Sequence, residues 1–189
     1  MILGSHNSWS YLPVKKWWMK PIAFTARCQR KTIQEQYELG VRCFDLRVRW
    51  KDWEIQVAHG CIVYDISLQQ LKDDLTWLNE KGDCFVRILH EARTRKQYDT
   101  SVAFFKSFCY VSLSDYPNIR FRCGRNLYDW MVDYDFGFYP TCEEKYASVC
   151  PPKILDDWWP WLYAKFHNRK IREQGTDSDI LLIDYVDIK

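Results

Sequence analysis

The chain has 189 residues, enough for one domain with a sizeable core, and carries a formal net charge of +2. With 47% hydrophobic and 28% charged residues it is too apolar for a disordered chain, and its charge is too even for a broad nucleic-acid footprint. The longest aliphatic run is Ile180-Leu181-Leu182-Ile183, far short of the ~20 residues a membrane span needs.

Met1–His6 reads as a short strand. Met1-Ile2-Leu3 enters Gly4-Ser5-His6 without a basic segment or a long apolar run. The chain is therefore expected to stay in the cytoplasm or to have lost a leader. Ser8–Lys20 reads as a polar-aromatic loop. Thr32–Leu39 has helical spacing and stops at Gly40. Val41–Trp50 alternates over its whole length: Val41, Cys43, Asp45, Arg47 and Arg49 share one face of a strand, with Arg42, Phe44, Leu46, Val48 and Trp50 on the other. Glu54–His59 is a shorter strand. Ser67–Asn79 is an amphipathic helix with Leu68, Leu71, Leu75 and Leu78 on one stripe and Ser67 as N-cap. Cys84–Leu89 is a strand ending in His90-Glu91, Thr100–Tyr110 a helix, Ile119–Cys123 a strand, and Tyr134–Tyr139 is ambiguous. Pro151-Pro152 breaks the chain, Ile154–Glu173 is a helix interrupted near Pro160, and Asp179–Ile188 is a last strand. Strands alternating with helices imply an α/β fold with a parallel sheet. Polar residues recur at strand ends, at His6, Asp45, Arg47, His59, Glu91, Arg122 and Asp184, which favours a barrel over an open sheet.

The eight cysteines contain no Cys-x-x-Cys, so zinc-ribbon and redox spacings are excluded. Several lie in strand-like apolar runs and read as buried thiols. Cys142 and Cys150, in a turn-rich stretch, are the exception.

His6 and His59 each end a short strand beside small residues. Asp45 and Arg47, two apart on a strand, face the same way. A buried guanidinium there takes either the Asp45 carboxylate or a bound phosphate as its partner. Two imidazoles and one guanidinium suffice to cleave a phosphodiester without metal. One histidine removes a proton, the other donates one, and the arginine stabilises the charge growing on phosphorus-bound oxygens. His90 and His167 have no such setting and read as structural.

Gly4-Ser5-His6-Asn7-Ser8, Gln36-Tyr37-Glu38-Leu39-Gly40-Val41-Arg42-Cys43-Phe44-Asp45-Leu46-Arg47 and Val57-Ala58-His59-Gly60 together resemble the X-domain of phosphatidylinositol-specific phospholipase C, one of the PLC-like phosphodiesterases. The likeness is concentrated in residues 1–91. It implies a compact or partly reduced TIM-like (β/α) barrel, with residues 1–189 as a single catalytic domain. It also implies cleavage of a phosphatidylinositol-like lipid to a cyclic inositol phosphate and diacylglycerol, at a peripheral membrane surface and by a monomer. Hydrolysis of another glycerophosphodiester or phospholipid is the alternative within the same fold, and a non-catalytic lipid-binding module the alternative outside enzymes.

By the resemblance, His6 matches the general base, His59 the general acid, and Arg47 the arginine of the bacterial metal-independent branch. Asp45 matches the acidic residue before it, and Asp184 the carboxylate that orients the base, with Asp187 close by. The resemblance breaks at Asn7, where the bacterial pattern has an Asp behind the acid histidine. Asn7 leans toward calcium and Arg47 against it; a fixed positive charge disfavours Ca²⁺, so no cofactor is expected. Without that Asp, His59 is expected to have a lower pKa and to be a weaker acid.

Arg87, Glu91, Arg122 and Asn7 are candidates for the headgroup. Glu91 has Arg93 or Arg95 as alternative partners. Lys15-Lys16-Trp17-Trp18-Met19-Lys20 lies just after His6, and Trp17 and Trp18 are either a membrane-docking pair or packed beneath their loop. Asp157-Trp158-Trp159-Pro160-Trp161 reads as core.

Overall fold

Alternation along the Val41 segment predicts a strand with two unlike faces, and β2 (Cys43–Lys51) has them. Cys43, Asp45 and Arg47 occupy one face, Phe44, Leu46 and Val48 the other, and all six are buried. A strand buried on both sides belongs in the middle of a parallel sheet. The computed structural model, which describes residues 1–92, 94–125, 146–148, 159–174 and 179–188, places it there. β2 pairs in parallel with β1 (Ile2–Ser5) on one side and with β5 (Phe85–His90) on the other. β5 continues to β6 (Arg120–Arg125), β1 to β8 (Ile180–Ile183), and β8 to β7 (Tyr146–Ser148), all parallel. The parallel order is β7-β8-β1-β2-β5-β6. Among the described residues β6 and β7 do not pair, and the sheet they form is a curled half-barrel, without the closed ring of a complete TIM barrel being shown.

The outer face is covered by α2 (Leu68–Lys81) and α3 (Arg95–Asp115). Leu71, Leu75 and Leu78 of α2 and Phe105 and Cys109 of α3 share one apolar cluster with Phe44, Leu46, Val48, Val86 and Ile88. Ser67 caps α2 as expected, accepting from the Gln70 N–H at 3.0 Å. Leu68 departs from the predicted stripe: it sits on the first turn and is exposed. α1 (Ile33–Glu38) is a short piece held by a capping box, in which Thr32 and Glu35 satisfy each other's backbone N–H. Gly40 ends it with φ 94°. α4 (Pro160–Gln174) starts on its proline, where the missing N–H has no partner to lose. The Tyr134–Tyr139 segment, Pro151-Pro152, residues 154–158, and Cys142 and Cys150 lie outside the described residues.

Two expectations fail around the aromatic segments. The loop after His6 contains two 3₁₀ helices, Ser8–Tyr11 and Trp17–Thr25. Trp9 in the first is fully buried, its indole N–H donating to Asp74 Oδ2 at 2.9 Å. Trp159 is 45% exposed and meets Phe24 edge-on, so this part of the second Trp cluster is surface and not core.

The strand Glu54–His59 (β3) is not a parallel stave. It forms an antiparallel hairpin with the far half of β2, from Val48↔Val57 to Lys51↔Glu54, and continues to β4 (Ile62–Val63). Cys28, Cys43, Cys84, Cys109 and Cys123 are buried thiols and Cys61 is exposed. No described helix is long and apolar enough to cross a membrane.

Candidate active site

The inner face of the sheet changes character along its strands. Near the strand starts, Ile2, Cys43, Phe85, Ile180 and Leu182 form a small apolar cluster. One step further the same face carries His6, Asp45, Arg47, Arg87 and Asp184. Gly4 lies at the transition. A Cβ there would run into Leu182 Cδ2 and lie 3.2 Å from Cys43 Cβ, so the close approach of the strands requires glycine.

His6 is 4% exposed and held from both ring nitrogens. Its Nδ1 lies 2.7 Å from Asp184 Oδ1, and because a carboxylate only accepts, the proton sits on Nδ1. Nε2 therefore presents a lone pair, which receives Arg47 Nη2 at 2.7 Å. Asp187, the competing carboxylate, pairs with Arg30 instead. The backbone of His6 is fixed as well: its N–H donates to Ile183 O, and its carbonyl accepts from Gln29 Nε2 at 3.1 Å.

Arg47 donates through Nε to Asp45 Oδ2 at 2.9 Å and stands 3.7 Å from Glu91 Oε2. Burial opposes its charge, but Asp45 and Glu91 outweigh that and raise its pKa. Burial likewise works against the Asp45 carboxylate, yet Arg47, Arg87, His6 and the Asn7 N–H together hold it well below the usual range. Arg87 Nη1 is 3.7 Å from Asp45 Oδ1. Glu91 accepts from the Gly60 N–H at 2.9 Å, and burial raises its pKa against the opposing pull of Arg47. Its partners include Arg47, Gly60 and the charge of Arg49. Arg93 lies outside the described residues.

His59 sits at the end of β3, its ring edge-on to His6 with centroids 5.4 Å apart. Its Nδ1 is 3.1 Å from the Ala26 carbonyl, an acceptor, so Nδ1 carries the proton. The same carbonyl accepts from Tyr64 Oη at 2.7 Å and from Asn7 Nδ2 at 3.4 Å. A neutral carbonyl thus stands behind this histidine. Its pKa is pushed down to about 3, first by burial and then by the charge of Arg47. The direction is the one expected from the Asp-to-Asn difference at position 7, but the principal cause is burial.

Not every candidate reaches this centre. Asn7 is fully buried, has left-handed backbone (φ 45°), and spends its amide on Ala26 and Tyr64, away from the open side. Arg122 is exposed and lies in the same row as Asp45 and Arg87, but two strands from β2. Trp17 and Trp18 are 74% and 57% exposed and touch each other edge-on, so they are not packed beneath their loop. A cleft of about 610 Å³ opens beside Glu91, lined by Arg49, Trp50, Lys96, Gln97 and Phe104 among others.

Sequence reasoning missed three contributors. Gln29, fully buried, ties His6 O, Ile183 O and the Val186 N–H together. Ser8 Oγ receives the Asp45 N–H at 2.8 Å. Cys28 Sγ lies 3.8 Å from His59 Nδ1. Ser8 closes the Gly4–Ser8 run but has no role assigned from it; Gln29 and Cys28 stand in no recognisable spacing, and their only signal is polarity beside runs that turn out to be buried.

No family model matches this chain, and no curated protein does. Among solved structures, the chain is similar to the phosphatidylinositol-specific phospholipase C from Listeria monocytogenes, with a TM-score of 0.58 and 15% identity over 97% of this chain and 87% of that one. It is also similar to the phosphatidylinositol-specific phospholipase C of S. aureus, with a TM-score of 0.56 and 15% identity over 97% of this chain and 85% of that one. At such identity the likeness is one of fold: a mixed α/β chain whose curled half-barrel sheet resembles that of these two structures.

Proposed function

We propose that the chain is a phospholipid phosphodiesterase that cleaves a phosphatidylinositol-like substrate by intramolecular attack, releasing a cyclic inositol phosphate and diacylglycerol. The observation that carries this reading is the pair of imidazoles 5.4 Å apart, one backed by Asp184, with Arg47 hydrogen-bonded to the other face of His6. His6 Nε2 takes the proton of the attacking inositol hydroxyl, and Asp184 stabilises the imidazolium that results. His59 returns a proton to the departing glycerol oxygen. Arg47 binds the phosphoryl oxygens through its Nη atoms while Asp45 holds its Nε.

Two features of the resting site follow from this assignment. Arg47 caps the lone pair of His6, so substrate phosphate must draw the guanidinium onto itself before His6 can act as a base. His59 is neutral until an anion arrives, and the phosphodiester supplies the negative charge that lets it hold a proton. The cleft beside Glu91 offers Arg49, Gln97 and Lys96 for the polar headgroup. Calcium does not fit the residues present. A Ca²⁺ ion needs six to eight oxygens, and the carboxylates of the site are already engaged, Asp45 and Glu91 by the Arg47 guanidinium and Asp184 by His6 Nδ1. Trp17 and Trp18, with Lys16 5.5 Å over the Trp18 ring, suit a lipid interface.

The test is turnover of phosphatidylinositol vesicles with EDTA present. Wild type should release a cyclic phosphate, and His6→Ala and His59→Ala should each abolish it. Turnover surviving both changes, or a strict calcium requirement, would overturn the mechanism.

A further inference from the structure

Cys28 is not used by the proposed reaction, yet its thiol lies inside the site. One ligand atom each of His6, Cys28 and His59 lie within 4.8 Å of one another, the only such cluster of three or more His, Cys, Asp or Glu side chains among the described residues. From this geometry we infer that the three residues form a capture site for a borderline-soft divalent cation of the Zn²⁺ class, and that the ion shuts the site by occupying both imidazoles.

Two observations support this. First, the donors are the right kind: two imidazoles and a thiolate make a three-ligand set that leaves a fourth tetrahedral position for water. Second, the tautomer of His6 is already set: Asp184 keeps its proton on Nδ1 and turns Nε2 toward the site, the carboxylate–histidine support that metal sites use. Cys28 binds as the thiolate and its proton goes to the buffer. On His59 the nitrogen facing the thiol is Nδ1, 3.8 Å from Cys28 Sγ, so an ion bound there replaces the Nδ1 proton and its contact to the Ala26 carbonyl, and that proton also goes to the buffer.

The competitor is Arg47. Its Nη2 occupies the His6 lone pair, so an ion must push the guanidinium back toward Asp45 and Glu91. Guanidinium and metal are mutually exclusive partners of His6. That makes the ion an inhibitor and not a cofactor, and it separates this site from the calcium chemistry rejected above.

The experiment is a Co²⁺ titration of the full chain followed by absorbance, then displacement by Zn²⁺. Wild type should develop a near-ultraviolet thiolate-to-cobalt band with tetrahedral visible bands, and Zn²⁺ should erase them. Cys28→Ser should lose the near-ultraviolet band and bind Zn²⁺ at least ~100-fold more weakly. Cys61→Ser, which removes the exposed thiol, should keep the band. No band in wild type, a band surviving Cys28→Ser, or a band lost in Cys61→Ser would each overturn the assignment. The readout does not depend on activity, so it stands apart from the phosphodiesterase reading.

Discussion

His59 provides a measurement of the site's electrostatics that needs no substrate. Its pKa is pushed from the ordinary 6.5 down to about 3, mainly because the half-buried ring loses part of its water and then because Arg47 repels a second positive charge. A group whose pKa is depressed by folding stabilises the fold fully above its unfolded value. That stability is lost as the pH drops toward the folded value. The window is therefore pH 6.5 down to about 3. Integrated from pH 7 to pH 5, this single group should cost the fold about 2 kcal/mol. The perturbation is His59→Gln, whose amide can still donate to the Ala26 carbonyl but does not titrate. Urea unfolding of both proteins at the two pH values isolates the term, because the other titrating groups are shared and cancel. Wild type should lose about 2 kcal/mol more than the variant on going from pH 7 to pH 5. In parallel, the Cε1–H resonance of His59 should stay at its neutral position across that range. Equal losses in the two proteins, or a histidine that protonates near pH 6, would refute the reasoning. The assignment of His59 as an acid that needs the substrate's charge would then fail too.

Three further outcomes are expected. Asp184→Asn should lower phosphatidylinositol turnover about 10²–10⁴-fold with little change in thermal midpoint, since the base loses its orienting carboxylate while the shape is kept; turnover within a few-fold of wild type would remove Asp184 from the site. Gly4→Ala should destabilise the fold by about 1–3 kcal/mol in urea unfolding, because the added methyl meets Leu182 and Cys43 between two strands. An unchanged midpoint would mean the strands are less close than described. Trp17→Ala/Trp18→Ala should sediment with anionic vesicles at least ~10-fold less than wild type, a factor that needs only ~1.4 kcal/mol from two indoles; equal partitioning would leave the pair without a membrane role.

Much of the parallel layer is legible in the sequence because its strands obey one rule. β2 alternates without interruption, and the ionic residues at its end stand two apart, so their shared face follows directly. The hairpin is another matter. Its turn, Asp52-Trp53, takes left-handed backbone at both residues (φ 53° and 66°) without a glycine to announce it. Glu54–His59 then reads like any other short strand, and its antiparallel direction stays hidden. α3 is longer than its apolar spacing indicates. The face toward the sheet is Tyr98, Ser101, Phe105, Cys109 and Ser112, all buried at helical intervals but with two serines that read as solvent-facing. The tryptophan surplus divides in a way composition cannot foresee. Trp9 plugs the core through its bond to Asp74, while Trp17, Trp18 and Trp53 stand in solvent. Asp184 and Asp187 are equivalent candidates in the sequence; the turn at Tyr185 (φ 46°) aims the first at His6 and the second at Arg30.

The mounting of the two histidines has a mechanical consequence. His6 extends a strand clamped on both sides by parallel neighbours, and displacing it means breaking those ladders. His59 rides on the return arm of a hairpin attached along one edge to β2 and on the other, among the described residues, to the two-residue β4. On the proposed assignment the base is the fixed jaw and the acid the movable one. Adjustment of the gap to a bulkier phosphoester would then come from flexing the hairpin, leaving the frame that holds His6 unstrained.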